Sequence, residues 1–381
     1  MLKVSNRSQV PPFIVMDVMQ AAAHREKLEG DVLHMEVGQP STPAPEKVIE
    51  AAKIALDQDK IGYTVALGLD PIRERIARHY QDIYDLDLAT ENVVVTSGST
   101  GGFILAFLAA FDPGDRVAFA SPGYPCYRNI LVALGLEPVE ILTGPETRFQ
   151  PTPELIDRLE APIDGLLVAS PANPTGTMIG KKEMERLCAF CQAQGIRFIS
   201  DEIYHGITYR DPAVSALSYT KEGVILNSFS KFFSMTGWRL GWMVIPDEML
   251  RSVECLAQNL YISPHALSQL AAVAAFDCYE ELNGHVFRYS KNREILLNEL
   301  PAMGMSRLAP ADGAFYIYAD IAHLTNDSKI FCSKLLQETG IAATPGIDFD
   351  PSRGHQTMRF SFCGSTEDVL ESVKRLKSWL P

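Results

Sequence analysis

The chain lacks any apolar stretch of the roughly 20 residues that a membrane helix requires. Residues 1–10 are polar, without the apolar core of a signal peptide, so a cytoplasmic location is expected. Positive charge is also scarce: 34 lysines and arginines stand against 47 aspartates and glutamates, a formal net charge of −13. That balance disfavours partners whose affinity rests on neutralising many phosphates, so neither nucleic acid nor a membrane surface is expected as a partner. Cysteine is sparse and odd in number, seven scattered residues, which argues against a disulfide framework and suits a reducing compartment. A lone CxxC at Cys188 and Cys191 has no companion ligands in sequence and sits in a helical stretch, so it reads as buried helix-face thiols, and no metal is expected. Repeats and low-complexity tracts are missing too.

What is present suits a globular protein working on small molecules. Of 381 residues, 46% are hydrophobic and 21% charged, ordinary for a packed chain. The length exceeds what a single core usually fills, which implies unequal domains. The expected division is an N-terminal arm with part of a small domain over 1–45, a large domain over 46–285 and a C-terminal small domain over 286–381.

The middle of the chain alternates short β-branched runs with helical periodicity, the pattern of a mainly parallel α/β sheet covered on both faces. Strands are expected over 93–96, 116–120, 166–170, 197–201, 224–228 and 239–244, and helices over 101–111, 181–194 and 249–260. An arm and helix over 11–28 and a long helix over 267–300 flank this region. Segments 313–321, 357–362 and 366–380 then suggest a small α+β unit.

In an open α/β sheet ligands bind at the carboxyl ends of the strands, so the residues just after each strand are informative. Ser97-Gly98-Ser99-Thr100-Gly101-Gly102 follows the first strand, small residues that open a helix and leave its N–H groups accessible to an anion. Its spacing matches neither the dinucleotide nor the Walker A loop, and tight packing explains it equally well. Pro171-Ala172-Asn173-Pro174-Thr175-Gly176 holds an amide in a stiff turn, and Asp201-Glu202-Ile203-Tyr204 places a carboxylate at a strand end with a phenol three residues on. Either asparagine or aspartate alone can be a backbone cap. The most specific segment is 227–241, where Ser228-Phe229-Ser230-Lys231 puts a lysine between a strand end and an aromatic, glycine-containing stretch, a poor setting for a solvated surface charge.

With these motifs the chain resembles the class I/II aminotransferases, fold-type I enzymes that use pyridoxal 5′-phosphate, and especially the subgroup with many bacterial aspartate and aromatic aminotransferases. The resemblance spans almost the whole chain: Gly38-Gln39-Pro40, Gly62-Tyr63-Thr64 with Gly68, the glycine-rich turn, Pro122-Gly123-Tyr124-Pro125, the NPTG turn, 201–204, SFSK, 237–241 and Arg359-Phe360-Ser361-Phe362. It implies a homodimeric enzyme that exchanges an amino group between an L-amino acid and a 2-oxo acid in a ping-pong cycle through an internal aldimine at Lys231. Lysine is required there because only a primary amine forms an exchangeable Schiff base.

By the same resemblance Asp201 sits against the pyridine nitrogen, Asn173 and Tyr204 donate to the ring's 3′-oxygen, and Tyr124 stacks on the ring. The phosphate is expected to meet Ser99, Thr100, Ser228, Ser230 and Arg239, with Tyr63 reaching it from the neighbouring subunit; Ser228 as a plain small strand-end residue stays open. Arg359 is matched to the residue that grips the substrate's α-carboxylate, with the Gly38 backbone and Asn173 completing the grip. A planar guanidinium binds a carboxylate through two parallel bonds, which lysine cannot do. The alternative within the fold is a lyase acting on a carbon–sulfur or related bond, since cofactor-holding residues are shared. A cofactor-sensing regulator would need a DNA-binding segment for which the chain has no spare length.

Neutral or aromatic amino donors are expected to serve at least as well as aspartate. Acidic-substrate members of the subgroup often carry a lysine where Thr100 stands here, and Thr100 brings no charge to pair with a second carboxylate. Phe13, Ile14 and Tyr124 are the candidates for an apolar side-chain pocket.

Overall fold

The computed structural model describes residues 2–58 and 61–380. Twelve strands among them, numbered in chain order, form three sheets. The largest contains β2 (Val93–Thr96), β3 (Arg116–Ser121), β4 (Glu137–Leu142), β5 (Gly165–Ala169), β6 (Arg197–Asp201), β7 (Val224–Ser228) and β8 (Gly241–Val244). Their spatial order is β2-β8-β7-β6-β5-β3-β4. β4, β3, β5, β6 and β7 run parallel, whereas β8 runs antiparallel to both of its neighbours. Every residue of β2, β7 and β8 is buried, as a strand covered on both faces requires.

The central region departs from the sequence expectation at two strands and one helix start. β4 was not expected, because Glu137-Pro138-Val139-Glu140 reads as a broken run. It lies at the sheet's edge, where a proline interrupts no second ladder. β8 begins at Gly241 rather than at 239, since Arg239 ends the Thr236–Trp238 3-10 turn at φ 51°. The helix after β2 starts at Gly98, three residues earlier than its apolar periodicity suggests, so Ser99 and Thr100 lie within its first turn.

The expected long helix is also broken. Ala266–Ala272 passes into a 3-10 segment, Val273–Asp277, and a new helix runs Tyr279–Ala302. Asp277 anchors the break: its carboxylate pairs with Arg75 at 2.5 Å, and its carbonyl accepts from Lys47 at 3.3 Å.

The remaining strands are short. β9 (Tyr316–Asp320), β11 (Thr344–Pro345) and β12 (Thr357–Ser361) make an antiparallel sheet in the order β11-β12-β9. β1 (Leu33–His34) pairs in parallel with β10 (Ile341–Ala342), which ties the N-terminal part of the chain to its C-terminal part. Residues 35–38 then pass beside this sheet, with Ser361 N donating to Met35 O at 2.7 Å. The N-terminal helix Ile14–Glu29 and the C-terminal helix Thr366–Trp379 complete the unit. Cys188 and Cys191 are buried on the helix Lys181–Gln194, and burial pushes both thiols up to about 12. No helix among the described residues is long and apolar enough to cross a membrane.

Candidate active site

The carboxyl ends of β2, β3, β5, β6 and β7 converge on one cavity of about 180 Å³. Because β8 runs the opposite way, Arg239, two residues before it, arrives at the same edge of the sheet. Gly38, Ser99, Thr100, Tyr124, Asn173, Asp201, Tyr204, Ser230, Lys231, Arg239 and Arg359 all line this cavity. Two of the expected cofactor-binding residues do not. Ser228 lies behind it, its hydroxyl donating to Leu240 O at 3.1 Å and sharing a hydrogen bond of 2.9 Å with Ser230 Oγ. Tyr63 is far more open, with 84% of its surface exposed.

At one end of the cavity the helix Gly98–Ala110 presents its first turn. Gly98 has φ 70°, and a Cβ there would fall 2.6 Å from Arg239 Nη2, so only glycine lets the guanidinium lie over the helix start. A Cβ at Gly241 would fall 2.8 Å from Ser99 N. These two glycines let β8, Arg239 and the helix N-terminus close into a compact, electropositive cradle.

At the floor, Asp201 is the last residue of β6 and 4% exposed. The Tyr127 hydroxyl donates to its Oδ2, and Ile203 N donates to its Oδ1 at 3.1 Å. Burial raises its pKa to about 6 against the opposing pull of these donors and of Lys231. Lys231 Nζ donates to Gly38 O at 2.6 Å. Burial lowers its pKa to about 8, with the positive charges of Arg359 and Arg239 acting in the same direction and Cys363 and Asp201 opposing. A lysine so placed is far closer to a neutral, nucleophilic amine at physiological pH than one in water.

Arg359, on β12, is 2% exposed. Its Nη1 donates to Asn173 Oδ1 at 2.7 Å, and its Nη2 to Glu36 O and to Thr344 Oγ1 at 3.2 Å. The guanidinium carbon lies 4.3 Å from the ring centre of Tyr316 and 4.7 Å from that of Phe349. Its Nε has no hydrogen-bond partner among the described residues, and a buried donor left in that condition costs about 1–3 kcal/mol.

Tyr316 and Tyr127 were missed in the sequence, because neither lies in a turn or strand-end motif. Tyr316 shares a hydrogen bond of 2.7 Å with Tyr204, hydroxyl to hydroxyl, and its hydroxyl occupies the space a side chain on Gly38 would need. Phe13 does line the cavity, its ring edge-on to Tyr124 at 5.7 Å, joined by Val15 and Met16. Ile14 does not line it: the residue begins the N-terminal helix, and its amide is bonded to Asp348.

Comparison with known proteins places this arrangement. The family model for aminotransferase class I and II matches residues 30–376. A valine–pyruvate aminotransferase of Mycobacterium tuberculosis is 50% identical, over 100% of this chain and 99% of that protein. An aspartate/prephenate aminotransferase of Thermus thermophilus is 32% identical, over 91% and 90%. The crystal structure of an aminotransferase from Mycobacterium tuberculosis superposes with a TM-score of 0.98 at 50% identity, covering both chains completely. The aspartate aminotransferase of Thermus thermophilus with maleate gives 0.92 at 30% identity, covering 98% and 99%. A match over nearly the whole chain, in sequence and in fold, leaves one conclusion: the chain belongs to the class I and II aminotransferases, a family that works with pyridoxal phosphate, and its activity is amino-group transfer.

Proposed function

We propose that the enzyme transfers the amino group of a neutral L-amino acid, aliphatic or aromatic in its side chain, to a small 2-oxo acid, at the cavity around Lys231. One observation carries this reading. The cations lining the cavity, among the described residues, are Lys231, Arg239 and Arg359, and each has work other than pairing a side-chain carboxylate. The wall formed by Phe13, Val15, Met16 and Val37 is apolar, and Thr100 is neutral. Burying a second carboxylate against such a wall costs several kcal/mol, on the order of the 2–7 kcal/mol of an unpaired polar group or more. The relative named for valine and pyruvate supports the same substrate class.

The residues fit pyridoxal phosphate. The electropositive cradle of Ser99, Thr100, Ser230 and Arg239 suits a phosphate dianion, and Ser228 supports it by holding Ser230. Asp201 offers a carboxylate to a pyridinium, and Tyr124 offers a ring face. Bound there, pyridoxal phosphate supplies an aldehyde that condenses with amines and a ring that accepts the electrons left when Cα loses its proton.

The chain's own groups do the rest. Arg359 orients the donor through its α-carboxylate, for which the unpartnered Nε and the planar fork are suited, and Asn173 holds that fork in place. Lys231 would serve as the base that takes the proton from the donor's Cα, for which its lowered pKa suits it. Asn173 and Tyr204 are the donors available to the cofactor's ring oxygen, with Tyr316 holding the Tyr204 hydroxyl. Phe13, Val15 and Met16 give the donor's side chain an apolar wall.

Lys231, Asp201 and Tyr204 are thus the proposed catalytic group. The remaining motif residues bind cofactor or substrate, and Tyr63 serves the site of a partner subunit in a homodimer. The unequal division of the chain near residues 45 and 285, and a reducing cytoplasmic setting for its free cysteines, belong to the same reading.

Steady-state kcat/KM for alanine, valine, methionine, phenylalanine, tyrosine and aspartate, with pyruvate and 2-oxoglutarate as acceptors, tests the substrate class. Neutral donors are expected to equal or exceed aspartate. An aspartate value tenfold above every neutral donor overturns the reading, and release of ammonia or thiol in place of amino transfer would reveal a lyase.

A further inference from the structure

The wall that meets the donor's side chain comes from the first turn of the helix Ile14–Glu29 and the residue before it. Phe13, the cap residue of that helix, provides no side-chain hydrogen bond to it, so its first amides need partners from elsewhere. They find one more than three hundred residues away. Asp348 Oδ1 accepts from Ile14 N at 3.0 Å, and Oδ2 accepts from Val15 N at 3.1 Å. The carboxylate is 4% exposed, and a negative charge at a helix N-terminus is favoured.

The same short segment reaches the other end of the substrate. Asp348 closes the 3-10 turn Gly346–Asp348, which follows β11, whose Thr344 is in register with Arg359 on β12. The next residue, Phe349, lies with its ring 4.7 Å from the Arg359 guanidinium, and its carbonyl accepts from Gly123 N at 3.0 Å, beside Tyr124. One carboxylate therefore ties the side-chain wall to the segment that packs under the carboxylate-gripping arginine.

We propose that Asp348 is a specificity-determining positioning residue. By pinning the amides of Ile14 and Val15 it sets Phe13, Val15 and Met16 at the distance from Arg359 that decides which side chains fit. It touches neither substrate nor cofactor. The proposal rests on the reading of Phe13, Val15 and Met16 as the wall of the donor pocket, but not on which donor the wild type prefers.

The test compares wild type, Asp348→Asn and Asp348→Ala in steady-state reactions with alanine and valine as donors, which share Cα and carboxylate and differ in side-chain bulk. Asp348→Ala is expected to change the valine-to-alanine ratio of kcat/KM by tenfold or more, mainly through KM, with the bound cofactor's absorption band unmoved. Asp348→Asn keeps one acceptor and is expected to fall between. Hydrogen exchange at the Ile14 and Val15 amides of the holoenzyme should accelerate in the same order. A ratio within twofold of wild type, or equal losses for both donors, overturns the proposal, as does unchanged exchange at the two amides. Should Asp348→Ala fail to fold, Asp348→Asn decides by the same two readouts. A wild type that favours aspartate overturns the neutral-donor reading alone, because the ratio and the exchange rates remain measurable.

Discussion

At the scale of single residues, the ionisable groups behind the Lys231 cavity are set by burial. Glu202 follows Asp201 in sequence but faces away from the cavity. Its Oε1 accepts from Ala216 N at 2.8 Å and from the Ser200 and Ser215 hydroxyls at 3.1 Å each, while Oε2 lies 3.5 Å from His205 Nδ1. His205 Nε2 faces Ser170 O at 3.0 Å and must donate to it, so Nδ1 accepts from the Tyr84 hydroxyl at 2.7 Å. The ring is neutral, and burial holds it so by lowering its pKa to about 3. Burial raises Glu202 to about 8 from an ordinary 4.5, because no cation pairs with it among the described residues.

The signs of these shifts oppose each other. Glu202 contributes stability that is fully present below pH 4.5 and is lost as pH rises to about 8. His205, and His79 at about 4, contribute stability present above pH 6.5 and lost on acidification. Glu202→Gln keeps the acceptor oxygen and removes only the first term. Its urea midpoint should therefore rise relative to wild type between pH 5 and pH 8. A constant difference across that window would mean that Glu202 is ionised throughout.

At the scale of elements, the site depends on one strand running against the rest. The motif residues after β2, β5, β6 and β7 were legible because strand-end turns have their own residue chemistry. Arg239 was legible as a motif residue, yet its place at the cradle follows from β8 being antiparallel, which no local pattern announces. The glycines at 98 and 241 likewise acquire their reason only when β8 and the helix start are brought together. Gly38 shows the same dependence. It lies three residues past Met35, which is bonded to Ser361 beside the small sheet, and a Cβ there would fall 1.7 Å from the Tyr316 hydroxyl. Gly38→Ala is thus expected to displace Tyr316, loosen its bond to Tyr204 and lower kcat/KM by roughly 10–100-fold, the scale of a misplaced catalytic group. Steady-state kinetics of this variant and of Gly38→Ala/Tyr316→Phe check it, with partial recovery expected in the double variant, whose ring no longer carries the obstructing hydroxyl.

At the scale of the whole molecule, one chain leaves a cluster of apolar residues open to water. Tyr63 is 84% exposed, Val65 61%, Ile262 53% and Leu260 49%, and Thr64 N donates to Ser263 Oγ at 3.3 Å, which sets the two segments side by side. Exposed apolar groups so grouped are suited to a partner surface. Mixing Lys231→Ala chains with Tyr63→Phe chains tests the proposed shared site. A hybrid dimer holds one site with both Lys231 and a tyrosine from the partner, so activity should exceed that of either variant alone. Failure to recover activity from an impaired Tyr63→Phe enzyme would place Tyr63 in its own chain's site or outside any site.

The amino-acid sequence alone determined the α/β class, most strands of the central sheet and the aminotransferase family, because periodicity and strand-end turns are local and the motifs are read in order along the chain. Tertiary structure decided what joins distant segments: the edge strand around Pro138, the break at Asp277, the Tyr204–Tyr316 pair and the hold of Asp348 on Ile14 and Val15. The physical reason is common to all four. Each depends on a partner brought close only by folding, and a backbone amide or a phenol carries no mark in sequence of the group that will satisfy it.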